Sequence, residues 1–266
     1  MRVLALDFDG VLCNSSREVF VVAVDAYCHQ APNSRLVDHL RSLRKNALAG
    51  GSRYLADPVV HSFSNMLPLG NRAEDFGVAL HAVEEGHSIS DQAGYDTYFA
   101  THQRDWLESY HHRFYEARHR LRARDLGAWL GLHIPYAGLA ETLRGHPSDT
   151  ELAVATAKDA GSVILLLGKL GMADLFEADM ILDKETGVEK THHLQALRDR
   201  LDIGFDAITF VDDKVNHLQK VAGLGIRPVL AGWGLNTPRE HAAARALGHE
   251  IATLDTAGAV LFTGGS

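Results

Sequence analysis

The chain has 266 residues, 46% hydrophobic and 23% charged, with a formal charge of −8. That length buries a sizeable core, and the acidic balance argues against nucleic acid or an anionic membrane as a partner. The longest early apolar run, VFVVAV (19–24), is far too short to span a bilayer, which leaves an ordinary globular protein.

Residues 2–7 (RVLALD) are the first expected strand, and the break of its apolar run at Asp7 is unlike a signal peptide. From about Asn14 to Ile134 the pattern turns helical. Ser15-Ser-Arg-Glu18 has capping-box spacing, followed by Phe20, Val24, Tyr27 and Cys28 on one face. Leu36, Leu40 and Leu43 continue the spacing, as do Phe76, Leu80 and Val83, and Pro58, Pro68, Gly70 and Gly86 punctuate it. The longest helix is expected over about Thr101–Arg124, burying Trp106, Tyr110, Phe114, Ala117 and Leu121. Short apolar runs then return at 151–156, about 179–183, 207–212 and 226–231, alternating with helical patterns over Gly161–Leu170, Thr191–Leu201 and Val215–Leu224. The fold class expected is therefore α/β: a Rossmann-like parallel sheet core over residues 1–14 and 135–266, with an all-helical subdomain inserted over 15–134.

In an open parallel sheet, ligands bind beyond the carboxyl ends of the strands. The first strand ends in Asp7-Phe-Asp9-Gly10, the second in Thr156, and the 207–212 strand in Asp212-Asp213, while Lys190 opens a helix after the third. If these strands are neighbours, one sheet end gathers four carboxylates, a hydroxyl and an ammonium. Converging carboxylates need a cation, or some must take up protons. An all-oxygen site suits Mg²⁺ bridging protein carboxylates to a substrate phosphate. Lys190 and Thr156 then suit the remaining phosphate oxygens, and Gly10 permits close approach of the backbone to an anion.

The constellation resembles the haloacid dehalogenase-like hydrolase superfamily over the whole chain. DFDG (7–10) resembles its first motif, Thr156 its second, Lys190 its third, and VDD (211–213) a two-acid version of its fourth. The resemblance implies a phosphatase in which Asp7 is the nucleophile and forms an aspartyl-phosphate. Asp9 is then the proton shuttle, and Mg²⁺ is held by Asp7, Asp9 through its carbonyl, Asp212 and Asp213 as ligand or outer support. Asp9 favours phosphoryl chemistry over cleavage of carbon–halogen or carbon–phosphorus bonds. The insert after the first motif implies a helical cap, with Arg53, Arg72 and Arg118 as candidate readers of an anionic, small phosphorylated metabolite; the loop Ser64–Gly70 is a further candidate. Two departures stand out: Thr191-His-His follows Lys190 where many members have proline, and Asn216 takes the place of the common later acid.

Blander readings accompany these. Lys158 and Asp159 read as a helix start, while Lys169 and Lys184 are rivals to Lys190. The basic stretch 113–124 reads as a solvated helix face. The sixteen histidines, with His111-His112, His119 and His192-His193 the nearest clusters, show no zinc framework. Cys13 and Cys28 read as small buried residues in a reducing, cytoplasmic compartment. A phosphomutase or phosphotransferase using the same intermediate is the alternative enzyme, and a phosphometabolite-binding protein without turnover the alternative of another class.

Overall fold

The structure, a computed structural model, describes residues 1–70, 72–187 and 189–262. The chain divides into two compact units, one formed by residues 1–14 with the chain from Ile134 onward, the other by Ser15–His133.

In the first unit the strands are β1 (Arg2–Leu6), β2 (Cys13–Asn14), β3 (Ile134–Pro135), β4 (Thr150–Ala155), β5 (Ile181–Leu182), β6 (Ile208–Asp212), β7 (Arg227–Ala231) and β8 (Glu250–Ala252). Six of them make one sheet in the order β5-β4-β1-β6-β7-β8, with every neighbouring pair parallel. β2 and β3 pair antiparallel, Asn14 opposite Ile134. That pairing draws Ile134 into the core unit, one residue before the boundary expected from sequence.

β1 takes a central place because Val3–Leu6 are apolar on both faces and fully buried. Parallel neighbours require crossovers, here the helices Ala160–Leu170, Lys190–Leu201, Val215–Ala222 and Pro238–Ala246. Leu194, Leu197, Leu218 and Val221 from two of them pack with Ala5 and Phe210 in one buried cluster. The strand order reverses at β1: the chain builds β4 and β5 on one side, then β6, β7 and β8 on the other. Such a reversal opens a crevice at the carboxyl ends, here those of β1 and β6.

The second unit is helical throughout its described residues, built on Ser16–Gln30, Val37–Leu48, Pro58–Met66, Ala73–Glu85, Gln92–Phe99, Arg104–Arg124 and Leu126–Gly131. Val19–Val24 are all buried, so the Ser16–Gln30 helix lies at the centre of this unit. The Arg104–Arg124 helix buries Tyr110, Phe114, Ala117 and Leu121 as expected, and Tyr110 donates its hydroxyl to the Ala23 carbonyl at 2.9 Å. Trp106 is only half-buried. Among the described residues no helix is long and apolar enough to cross a membrane.

The capping box expected at Ser15 and Glu18 does not form. Ser15 makes no side-chain capping bond, and its buried hydroxyl lacks a hydrogen-bond partner among the described residues. Glu18 is instead fully buried and accepts a bidentate pair from Arg118, at 2.7 and 2.8 Å, plus the Trp129 indole N–H at 3.3 Å. A planar guanidinium fork matches a carboxylate better than one backbone N–H does, and burial demands the full match. The basic stretch is likewise not simply solvated: Arg113 donates to Gln30, and Arg120 pairs with Asp25 and Glu116.

Candidate active site

Asp7 directly follows β1, and its N–H donates to the Val211 carbonyl on β6 at 2.9 Å, tying the two strand ends together. Its Oδ1 accepts the Phe8 N–H at 2.7 Å and the Lys190 ammonium at 2.6 Å. Lys190 also donates to the Ala155 carbonyl at 2.7 Å and lies 3.8 Å from Asp212 Oδ2. One buried ammonium thus joins the ends of β4, β1 and β6. The rival lysines, Lys169 and Lys184, are exposed.

Asp212 is fully buried at the end of β6. Its Oδ1 accepts the Lys214 N–H at 2.9 Å, and its Oδ2 lies 2.9 Å from His217 Nδ1. Burial pushes Asp7 above the ordinary carboxyl range; Lys190 pulls it back, and Asp212 adds repulsion. For Asp212 burial acts upward too, but His217 and Lys190 outweigh it and hold the group low. Burial opposes the Lys190 charge, yet Asp7 and Asp212 raise its pKa.

One ligand atom each from Asp7, Asp212 and His217 lies within 4.8 Å of the others. Two buried carboxylates whose repulsion a cation would relieve fit a hard divalent ion, and with His217 already paired to Asp212 the open donors are oxygens.

Asp213 is not one of that trio. Its Oδ2 accepts the Leu235 N–H at 2.8 Å, and burial, aided by Asp212 and Asp7 against Lys214, pushes its pKa up to about 7. Gly10 makes room for it: a Cβ there would stand 2.1 Å from Asp213 Oδ2, and Gly10 has φ +84°. Gly10→Ala should therefore cost more than the roughly 1–2 kcal/mol of a left-handed non-glycine residue. Gly50→Ala is the control, with φ +74° and open space around the added Cβ; equal losses for the two in chemical denaturation would refute the packing argument.

Thr156 is buried just after β4, where its Oγ1 accepts the Lys158 N–H at 3.2 Å. Asp9 sits three residues beyond β1, its Oδ2 at 3.3 Å from Lys158 Nζ. Lys158 is therefore no mere helix start. Its side chain is only 4% exposed, and the capping role belongs to Asp159, which accepts the Ser162 N–H. Lys158, His217 and Tyr136 were missed as site residues. For Lys158 the signal was present, a lysine three residues past a buried strand end, close to the class of position that singles out Asp7 and Asp212. Asp9 Oδ1, Tyr136 Oη and Asn216 Oδ1 are buried with no hydrogen-bond partner among the described residues, and Lys158 Nζ has its Asp9 ion pair but no hydrogen bond there. Burial, then Asp213, raises the Tyr136 pKa, with Asp9 a lesser cause. Unsatisfied groups this numerous are costly unless a ligand or water completes them.

In the helical unit Arg53 and Arg72 are exposed. The Arg72 N–H donates to Asp75 Oδ2 at 2.8 Å, while the Arg118 guanidinium is engaged by Glu18.

Behind the site, His193 donates from Nε2 toward the carbonyls of Asp183 (3.1 Å) and Gly187 (2.8 Å), and burial, then Lys190, lowers its pKa to about 4. The unfolded chain takes up this proton near pH 6.5, the folded chain only near 4. Stability is therefore complete above pH 6.5 and falls toward pH 4, by up to about 3 kcal/mol for this group. Denaturation midpoints against pH should show that slope, and His193→Asn should flatten it; an unchanged slope would contradict the assignment.

The fold is shared with solved structures across nearly its whole length. A haloacid dehalogenase-like hydrolase family protein from Streptococcus pneumoniae is 13% identical, with TM-score 0.59 over 95% of this chain and 93% of its own. A predicted phosphoglycolate phosphatase from Haemophilus somnus is 16% identical, with TM-score 0.60 over 96% of each chain. A haloacid dehalogenase-like protein from Agrobacterium tumefaciens is 17% identical, with TM-score 0.58 over 98% and 97%. Identities this low speak for fold alone. No curated protein matches the sequence. The family model for haloacid dehalogenase-like hydrolases matches residues 1–225.

Proposed function

The chain belongs to the haloacid dehalogenase-like hydrolases, and from that footing we propose that it is a Mg²⁺-dependent phosphatase hydrolysing a small phosphate monoester through Asp7. The observation that carries the reading is the buried Asp7–Lys190 contact of 2.6 Å beside Asp212. Two donors hold Oδ1 of Asp7, which leaves Oδ2 to attack phosphorus. The phosphorus–ester oxygen bond breaks as the Asp7–phosphorus bond forms, and Asp9 gives its proton to the leaving oxygen. Asp9 then takes a proton from water, which attacks phosphorus and frees Asp7 with inorganic phosphate. Lys190 and the Thr156 hydroxyl hold phosphoryl oxygens, and Gly10 keeps the loop backbone close. A Mg²⁺ held by Asp7, the Asp9 carbonyl and Asp212 would supply the charge neutralisation that an anionic phosphoryl group needs near carboxylates. Asp213 supports the loop through Leu235 in this scheme. Arg53 and Arg72 are the proposed readers of substrate charge. The buried Cys13 and Cys28, neither of them in a disulfide, support a cytoplasmic setting.

The test is phosphate release from a broad panel of phosphate monoesters with Mg²⁺. Release that stops when the cation is chelated is the expected result. No release from any member would end the proposal.

A further inference from the structure

Two histidines far apart in sequence meet in the helical unit, outside the proposed chemistry. His81 lies on the Ala73–Glu85 helix and His102 just before the Arg104–Arg124 helix, with His81 Nδ1 at 2.9 Å from His102 Nε2. The far nitrogen of His102 faces an acceptor, and a carboxylate lies farther off that of His81. His102 Nδ1 is 3.1 Å from the Tyr98 carbonyl, and His81 Nε2 is 3.9 Å from Glu85 Oε1. The Tyr98 carbonyl draws the His102 ring proton outward and leaves a lone pair on its inner nitrogen, the arrangement by which carbonyls orient metal-binding imidazoles; His81 Nδ1 then donates the 2.9 Å hydrogen bond to it. Glu85 is itself fixed by the Tyr98 hydroxyl at 2.6 Å and by His87 at 3.4 Å. In the neutral pair a ring proton stands between the two inner nitrogens, and a cation can take its place when His81 carries its proton on Nε2 instead. Burial, with His81 as a lesser cause, already holds the His102 pKa low.

We propose that His81 and His102 form a binding site for a late first-row divalent cation of the Cu²⁺ or Ni²⁺ type. At an imidazole–metal distance of about 2.0–2.1 Å, nitrogens 2.9 Å apart subtend about 90° at the ion. That angle belongs to square or octahedral coordination, as Cu²⁺ and Ni²⁺ prefer, and not to tetrahedral zinc. The remaining positions fall to water, supplied by a groove of about 610 Å³ that is lined in part by His81, Glu84, Glu85 and Trp106. The ion would staple the end of one helix to the start of another and stabilise the unit by mass action. This site is independent of the phosphatase reading.

The probe is Cu²⁺, titrated into the whole protein with excess Mg²⁺ present. Trp106 stacks on His81 (centroids 5.8 Å apart) and lies 5.0 Å from His102, so one equivalent should quench tryptophan fluorescence saturably. Electron paramagnetic resonance should show two nitrogen ligands. His81→Gln and His102→Gln should each weaken binding by about tenfold or more, and Trp106→Phe should lose quenching but keep the two-nitrogen spectrum. Absence of that spectrum in the wild-type protein would overturn the proposal, leaving a hydrogen-bonded histidine pair, and needs no variant to fold. Unchanged Cu²⁺ affinity in both histidine variants would overturn it equally.

Discussion

Asp7→Asn should release phosphate about 10⁴-fold more slowly than the wild-type protein, or not at all, while remaining folded. The asparagine oxygen can still accept from the Phe8 N–H and the Lys190 ammonium, the two donors that hold Oδ1. What is lost is the anionic oxygen that attacks phosphorus. Removing a buried charge whose pKa burial pushes upward also relieves a desolvation cost, so stability should hold or rise. Lys190→Met should behave differently. It strips the ammonium from two buried carboxylates at once, so activity and stability should fall together. Thermal melts alongside phosphate release separate the two cases, and an unfolded Asp7→Asn chain would show that the carboxylate is structural.

The second large effect lies in the helical unit. Arg118→Met should destabilise the protein by about 3–5 kcal/mol, because it leaves the Glu18 carboxylate buried without its counter-charge. Glu18 is wholly inaccessible, and the Trp129 indole at 3.3 Å does not replace a bidentate guanidinium. Glu18→Met combined with Arg118→Met should recover most of the loss, since a buried ion pair is often replaceable by apolar groups that fill its volume. Denaturant titrations of the four proteins in the cycle decide it. A single substitution costing less than about 1 kcal/mol, the range of surface ion pairs, would mean that the pair is not the keystone described.

These two regions also mark what the sequence made legible. The parallel sheet could be read because strands buried on both faces appear as continuous apolar runs, as in Val3–Leu6 and Leu152–Ala155. The edge strand β8 and the accessory β2 and β3 escaped, with three residues and two each, too short for any period to register, while the equally short edge strand β5 was caught only through its apolar run at about 179–183. Asp7, Lys190 and Asp212 could be singled out because strand ends are where chemistry collects, and the structure brings these three together. Lys158 was passed over because its neighbour Asp159 does start a helix. Glu18 misled for a different reason. Its spacing from Ser15 is a correct local signal, but a partner 100 residues away offers a stronger bond. Local patterns cannot announce such competitors, nor the meeting of His81 with His102.

The central claim is that the phosphoryl group passes through Asp7. Rapid acid quenching of the protein during turnover, followed by borohydride reduction and peptide mass mapping, tests it most directly. The account predicts the reduced adduct on the peptide bearing Asp7, and its absence from Asp7→Asn. Steady phosphate release with no adduct on that peptide, or undiminished release by Asp7→Asn, would contradict it.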